Sequence, residues 1–203
     1  MAGWREALSL LREALEERAG PPARYRLHHA ILCLIVLSEG MVSRASLAKR
    51  LNLGEGSVRS LLRRLRRAGL VEVIRAGCRL TDRGRKVLAE LREVLVGPIP
   101  VDAGRLTVGE RDAAVVVRGA ASLVGSGLDV RDAALTAGAV GATTLVVGEG
   151  GLSIPSVPEV EVSLSITAEL RSGDAVVLGT GEDRISAELG AIAGALRLLS
   201  KLF

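Results

Sequence analysis

Five arginines crowd the segment EGSVRSLLRRLRR, residues 55–67, at positions 59, 63, 64, 66 and 67. Val58, Leu61, Leu62 and Leu65 recur at helical spacing and form a buried stripe. Glu55, Gly56, Ser57, Arg59, Ser60, Arg63, Arg64, Arg66 and Arg67 are then left on the exposed face. Arg59 and Arg63, one turn apart, carry forked donors that match guanine edges or phosphates. Ser57 and Ser60 are short hydroxyls able to bond bases or backbone. Arg66 and Arg67 lie farther along and suit phosphates. Taken alone, an arginine-rich helix face is most often only a solvated surface. Two further groups argue against that here. Arg75 and Arg79 flank Ala76-Gly77-Cys78 at the expected tip of a hairpin. Ser43 and Arg44 open a helix at a place where a phosphate could dock.

The elements that position these residues follow in a fixed order. Ser43 suits the N-cap of a helix over 44–51. Asn52-Leu53-Gly54 makes the turn, with Asn tolerating a left-handed backbone almost as well as Gly. The helix over 55–68 ends at Gly69 as its C′ residue. Strands at 70–75 and 78–81 join at Ala76-Gly77. Helix, turn, arginine-rich helix and short hairpin is the layout of a winged helix-turn-helix. Ahead of it lie an amphipathic helix over 4–19, stopped by Gly20-Pro21-Pro22, and a mostly apolar helix over 23–39. A helix over 82–96 follows, with Val87, Leu88, Leu91 and Leu95 on one face. Gly97-Pro98-Ile99-Pro100 breaks the pattern and marks a boundary between a DNA-binding domain, 1–97, and a second domain, 101–203.

This half resembles the winged-helix domains of bacterial and archaeal regulators of the MarR and DtxR type, over residues 25–95. The resemblance is carried by SVRSLLRRLRRAGLVEVIRAGCRLTDRGRKVL, with the LTxxG element at Leu80-Thr81-Asp82-Arg83-Gly84. It implies double-stranded DNA binding by a homodimer on a two-fold site. Metal sensing does not carry over, because His28 and His29 stand side by side without matching ligands.

Charge divides the chain the same way. Residues 1–97 hold 19 Lys and Arg against 10 Asp and Glu, whereas residues 98–203 hold 8 against 13. A basic half joined to an acidic half points to one nucleic-acid-facing domain and one that faces something else. Aromatics are only Trp4, Tyr25 and Phe203, too few for stacking single-stranded bases. Arginine outnumbers lysine 24 to 3, which a GC-rich genome or a hot habitat also explains. The longest apolar run, Ala30–Leu37, falls well short of the roughly 18 residues a membrane span needs. With no signal-like start either, a cytoplasmic protein without membrane contact is expected.

The second half carries 15 of the 24 glycines and alternates apolar strands with small-residue helices. Strands are expected at 112–118, 142–148 and 174–179, short extended pieces around 152–155 and 159–166, and helices at 129–138 and 182–199. Asp129 is the expected N-cap of the first of these helices. The fold class is α+β: a winged helix-turn-helix, then a small two-layer α/β domain with two helices on one mixed sheet. RDAAVVVRGAA, RDAALTAGAVGATTLVV and GTGEDRISAELGAIAGAL resemble the C-terminal domain of uncharacterised archaeal winged-helix proteins. The resemblance supplies architecture but no ligand.

Two places here could take a small-molecule effector. Gly179-Thr180-Gly181 reads as an open strand-to-helix turn, and Glu182 and Asp183 would suit an amine or hydroxyl. Arg118 at a strand end could face a cleft. An ordinary turn and a surface arginine are the plainer readings of both. The domain contains no His and no Cys, no P-loop and no G-x-G-x-x-G, so neither catalysis nor a cofactor or metal is expected. Cys33 and Cys78 lack metal-ligand or disulfide spacing. Cys78, in a basic wing, could be a redox-sensitive thiol, or simply a small turn residue.

A sequence-specific regulator, controlled by an effector or by assembly, is the leading expectation. The alternative is a sequence-tolerant architectural protein whose second domain only mediates oligomerisation. The terminal helices, 4–19 and 182–199, are the expected dimer elements.

Overall fold

A computed structural model of the chain describes residues 3–16, 23–155, 157 and 162–202. The chain forms two compact units that divide between Glu93 and Val94. The first contains α1 (Gly3–Leu15), α2 (Leu27–Ser38), α3 (Arg44–Arg50), α4 (Glu55–Arg67), β1 (Val71–Ile74), β2 (Gly77–Leu80) and α5 (Asp82–Arg92). In α1, Leu8 and Leu11 are buried as the helix packs on α4 and α5. α2 is buried on nearly every side and forms the centre of this unit. It starts at Leu27 rather than residue 23, because Arg26 is extended and its amide donates to Nδ1 of His29 at 3.1 Å. The expected stop of the first helix at Gly20-Pro21-Pro22 lies outside the described residues.

The second unit contains β3 (Leu95–Val101), β4 (Arg111–Val117), α6 (Leu128–Thr136), β5 (Gly141–Gly148), β6 (Gly151–Ser153), β7 (Ala175–Gly181) and α7 (Arg184–Leu199). Its sheet has the order β3-β4-β7-β5-β6. Every neighbouring pair is antiparallel, so the expected mixed sheet is corrected. The crossover from β4 through α6 leaves β4 and β5 pointing the same way with a gap between them. β7 fills that gap in the opposite direction.

Gly97–Pro100, expected as a boundary, is part of edge strand β3, with a cis Gly97–Pro98 bond and a register shift between Val96 and Ile99. Prolines are tolerated there because an edge strand leaves one side of its backbone unpaired. The helix expected to reach residue 96 therefore stops at Arg92, and Leu95 pairs with Val117 instead.

Alternation along β4, β5 and β7 sends Ala114, Val116, Leu145, Val147, Val176 and Leu178 to one face of the sheet. Val162, Leu164 and Ile166 pack on this face without forming a regular strand; residues 159–161 lie outside the described residues. α6 and α7 cover the other face. α7 comes very close to β7: a Cβ on Gly179 would strike the backbone of Ala187 and Ala191. The N-cap of α6 is Gly127, at φ +73°, not Asp129. Asp129 lies inside the first turn and pairs with Arg197 at 3.1 Å and Lys201 at 2.9 Å. α7 is itself almost entirely buried within the chain, which removes it as an exposed dimer element. The architecture is α+β, with two helices layered on one face of the second unit's sheet.

Candidate nucleic-acid interface

Local chemistry sets the α3–turn–α4 geometry. The Ser43 hydroxyl accepts from the Ser46 amide at 3.1 Å and caps α3. Asn52 takes φ +49°, the left-handed backbone expected of it, and the Leu53 amide reaches Ala48 O at 3.0 Å. Leu47, Ala48, Leu51, Val58, Leu61, Leu62 and Leu65 are all buried. Gly69 ends α4 at φ +74°. The Thr81 hydroxyl donates to Gly69 O at 2.6 Å and accepts from the Gly84 amide at 3.0 Å. A Cβ on Gly84 would strike Leu70 O. Leu80-Thr81-Asp82-Arg83-Gly84 thus ties the hairpin and α5 to the end of α4.

The hairpin turns at Arg75-Ala76, one residue earlier than expected, with Ile74 opposite Gly77. Cys78 is therefore a strand residue. Its amide and carbonyl exchange bonds with Val42, which tethers the wing to the chain just before α3. Its thiol is buried, and burial raises its pKa despite the nearby Arg44 guanidinium. The redox-sensor expectation needed an exposed, acidic thiol, and the structure places Cys78 in the opposite surroundings. Cys33 is also free and buried.

Ser43, Arg44, Glu55, Arg59 and Arg75 line a cleft of about 330 Å³ between α3, α4 and the wing. Arg59, Arg63, Arg66 and Arg67 are exposed along α4. Arg44, Arg59, Arg63, Arg66, Arg67 and Arg75 have no ion-pair partner among the described residues. Such a set leaves a concentrated positive field for phosphates to neutralise, with donors that suit base-edge acceptors as well.

Three expected contact residues are occupied otherwise. Arg64 donates to Leu15 O at 2.6 Å and Glu16 O at 2.9 Å, and its guanidinium lies over the Tyr25 ring at 5.7 Å. It satisfies the carbonyl end of α1. Arg79 pairs with Glu72 across the hairpin at 2.6 Å, away from the wing tip. Ser60 bonds Tyr25 at 3.1 Å, and Arg63 donates to it at 3.4 Å. Ser57 is half-buried on α4.

His28 and His29 are buried with ring centroids 4.3 Å apart. Burial first, then His29 and Arg26, hold His28 down at about 3. Burial and then Arg26 hold His29 at about 4. Both rings are neutral at pH 7, in keeping with Nδ1 of His29 accepting a bond.

The proposed effector residues fall apart into two places. Arg118 pairs with buried Asp174 at 2.5 Å, and Asp174 also accepts from the Gly119 and Arg171 amides. Gly179, Thr180 and Gly181 are buried strand residues of β7 rather than an open turn. Asp183 caps α7, accepting from the Ser186 amide, and this bond lowers its pKa. In the β4–β7 register Val117 faces Ala175 while Arg111 faces Gly181. Arg118, level with Asp174, and Glu182 therefore lie at opposite ends of the strand pair, roughly 27 Å apart at about 3.4 Å per residue.

Two positions that shape the interface carried little signal in the sequence. Tyr25 holds both Ser60 and Arg64, yet lies about 35 residues from them. Glu55 reads as a first-turn acid but lines the arginine cleft.

Residues 23–95 match a family model described as the CggR N-terminal DNA binding domain. Residues 108–198 match one described as a domain of unknown function, DUF4443. Among solved structures, a hypothetical protein from Pyrococcus horikoshii OT3 is similar over 88% of this chain and 95% of its own, at 25% identity and a TM-score of 0.69. No curated protein matches. The first unit carries a DNA-binding helix-turn-helix domain. No helix among the described residues is long and apolar enough to cross a membrane.

Proposed function

We propose that the protein is a cytoplasmic transcriptional regulator that binds double-stranded DNA with sequence specificity. The observation that carries this reading is the set of six exposed arginines, without ion-pair partners among the described residues, on α3, α4 and the wing of a helix-turn-helix unit. α4 enters the major groove, with Arg59 and Arg63 at base edges and Arg66 and Arg67 at phosphates. Arg44 and Arg75 hold the backbone on either side of the cleft. Two copies bind a two-fold site, as the sequence resemblance to MarR- and DtxR-type domains implies.

The second unit governs assembly or effector response and performs no catalysis. The separation of Arg118 from Gly179–Asp183 favours assembly. So does the exposure of Leu128 and Leu135, two turns apart on one face of α6, at 59% and 40%.

Duplexes selected from a random pool provide the test. Arg59→Ala with Arg63→Ala should weaken binding to the selected site by several kcal/mol, at roughly 1–3 kcal/mol for each good bidentate contact. Binding to an unrelated duplex should weaken less. Unchanged affinity for the selected site at fixed salt would refute the assignment. A sequence-tolerant architectural protein predicts instead that wild type binds all duplexes equally.

A further inference from the structure

Glu55 opens α4 one turn before Arg59, and both line the cleft with Arg44 and Arg75. Glutamate four residues ahead of arginine is the order and spacing that favour an ion pair along a helix. No such pair forms: Glu55 has no ion-pair partner among the described residues, although three guanidinium groups line the same cleft. A carboxylate left free there weakens any purely phosphate-binding role, because it repels the backbone that the arginines attract. An acid in a first turn does steady the helix dipole, but that requires no place in the cleft.

We propose that Glu55 is a specificity-setting residue that reads a base directly, an inference that rests on the DNA-binding reading above. Its ionised carboxylate only accepts hydrogen bonds, and in the major groove the partner for it is the exocyclic amino group of cytosine. Arg59, one turn on, donates to O6 and N7 of a guanine. Together they select G·C-containing sequence at the start of α4. The same carboxylate opposes binding wherever the groove offers phosphate or an acceptor instead, so it also suppresses non-cognate complexes.

Random-duplex selection with sequencing, run on the full chain as wild type, Glu55→Ala and Glu55→Gln, tests this. Wild type should enrich a site containing a cytosine that Glu55→Ala prefers about tenfold less. Glu55→Gln should move the preference at that position towards adenine, whose N6 and N7 match a glutamine amide. Both variants should bind random duplex more tightly than wild type. Identical enriched sites for all three proteins would overturn the proposal while leaving the regulator reading intact. Lower melting temperatures with unchanged base preference would do the same, and would reduce Glu55 to a helix-dipole role. Failure of wild type to enrich any site would overturn the regulator reading, and this proposal with it.

Discussion

Arg59 and Arg64 lie on opposite flanks of one helix, and their surroundings separate their roles. Arg59 faces the cleft beside α3 and the wing, whereas Arg64 is spent on the carbonyl end of α1. Residue type alone cannot tell them apart, since each is an arginine on the exposed side of the same stripe. His28 and His29 give a second contrast, because their titration bears on stability rather than on binding. An unfolded chain takes up protons on both rings near the ordinary value of 6.5, the folded chain only near 3 and 4. Between those values the unfolded state binds more protons, so stability is full above pH 6.5 and is lost as pH falls through 6.5 towards 3–4. Each tenfold difference in proton affinity between the two states is worth about 1.4 kcal/mol, so the loss is on the order of several kcal/mol. Chemical denaturation midpoints measured between neutral and mildly acid pH should fall steeply, and His28→Leu with His29→Leu should flatten the curve. Equal acid sensitivity in the double variant would assign the effect to other groups.

Glycine makes the same point for whole elements. Gly179 and Gly181, which the sequence presents as an open turn, let α7 lie against β7. Gly179→Ala should destabilise the second unit by about 1–3 kcal/mol or more, through overpacking against Ala187 and Ala191. A thermal melt indistinguishable from wild type would show that the helix can move aside. The first unit was legible in the sequence because its signals are local: Ser43 as a cap, Asn52 in a left-handed turn, Gly69 after the recognition helix and a four-residue apolar stripe. The wing was legible except for a one-residue shift, because Gly77 could serve as a turn residue or as a strand residue facing Val42. The second unit's helices and central strands showed in the apolar periodicity. Its direction of pairing did not, because β7 meets β4 and β5 across long stretches of chain. β3 was hidden for a different reason, since its glycine and prolines carry the signal of a linker although an edge strand tolerates them.

At the level of the whole molecule, residues 1–97 carry a net charge of +9 and residues 98–203 a net charge of −5. Under the proposed function phosphate neutralisation falls to the first, so the salt dependence of DNA binding should report on one unit. With six available arginines, the slope of log K against log salt should be no steeper than roughly −5 per protomer. It should double when two copies occupy a two-fold site. Replacing Arg66 or Arg67 with alanine should reduce the slope by about 1 per protomer, read from titrations over a range of salt. An unchanged slope in both variants would remove them from the phosphate contacts. The strand order of the second unit also has a consequence for the growing polypeptide. β1 and β2 are joined by two residues and can pair as soon as they leave the ribosome. β4 and β5 emerge early but flank a place that β7 takes only after residue 181 has been made. At about 5–20 residues per second, the apolar edges of Val115–Val117 and Leu145 wait some seconds for their partner. A nascent chain stalled in that interval would already display the arginine surface while its acidic half still lacked a centre. It would be a DNA-binding module without the half proposed to govern it, and with two open strand edges exposed to aggregation.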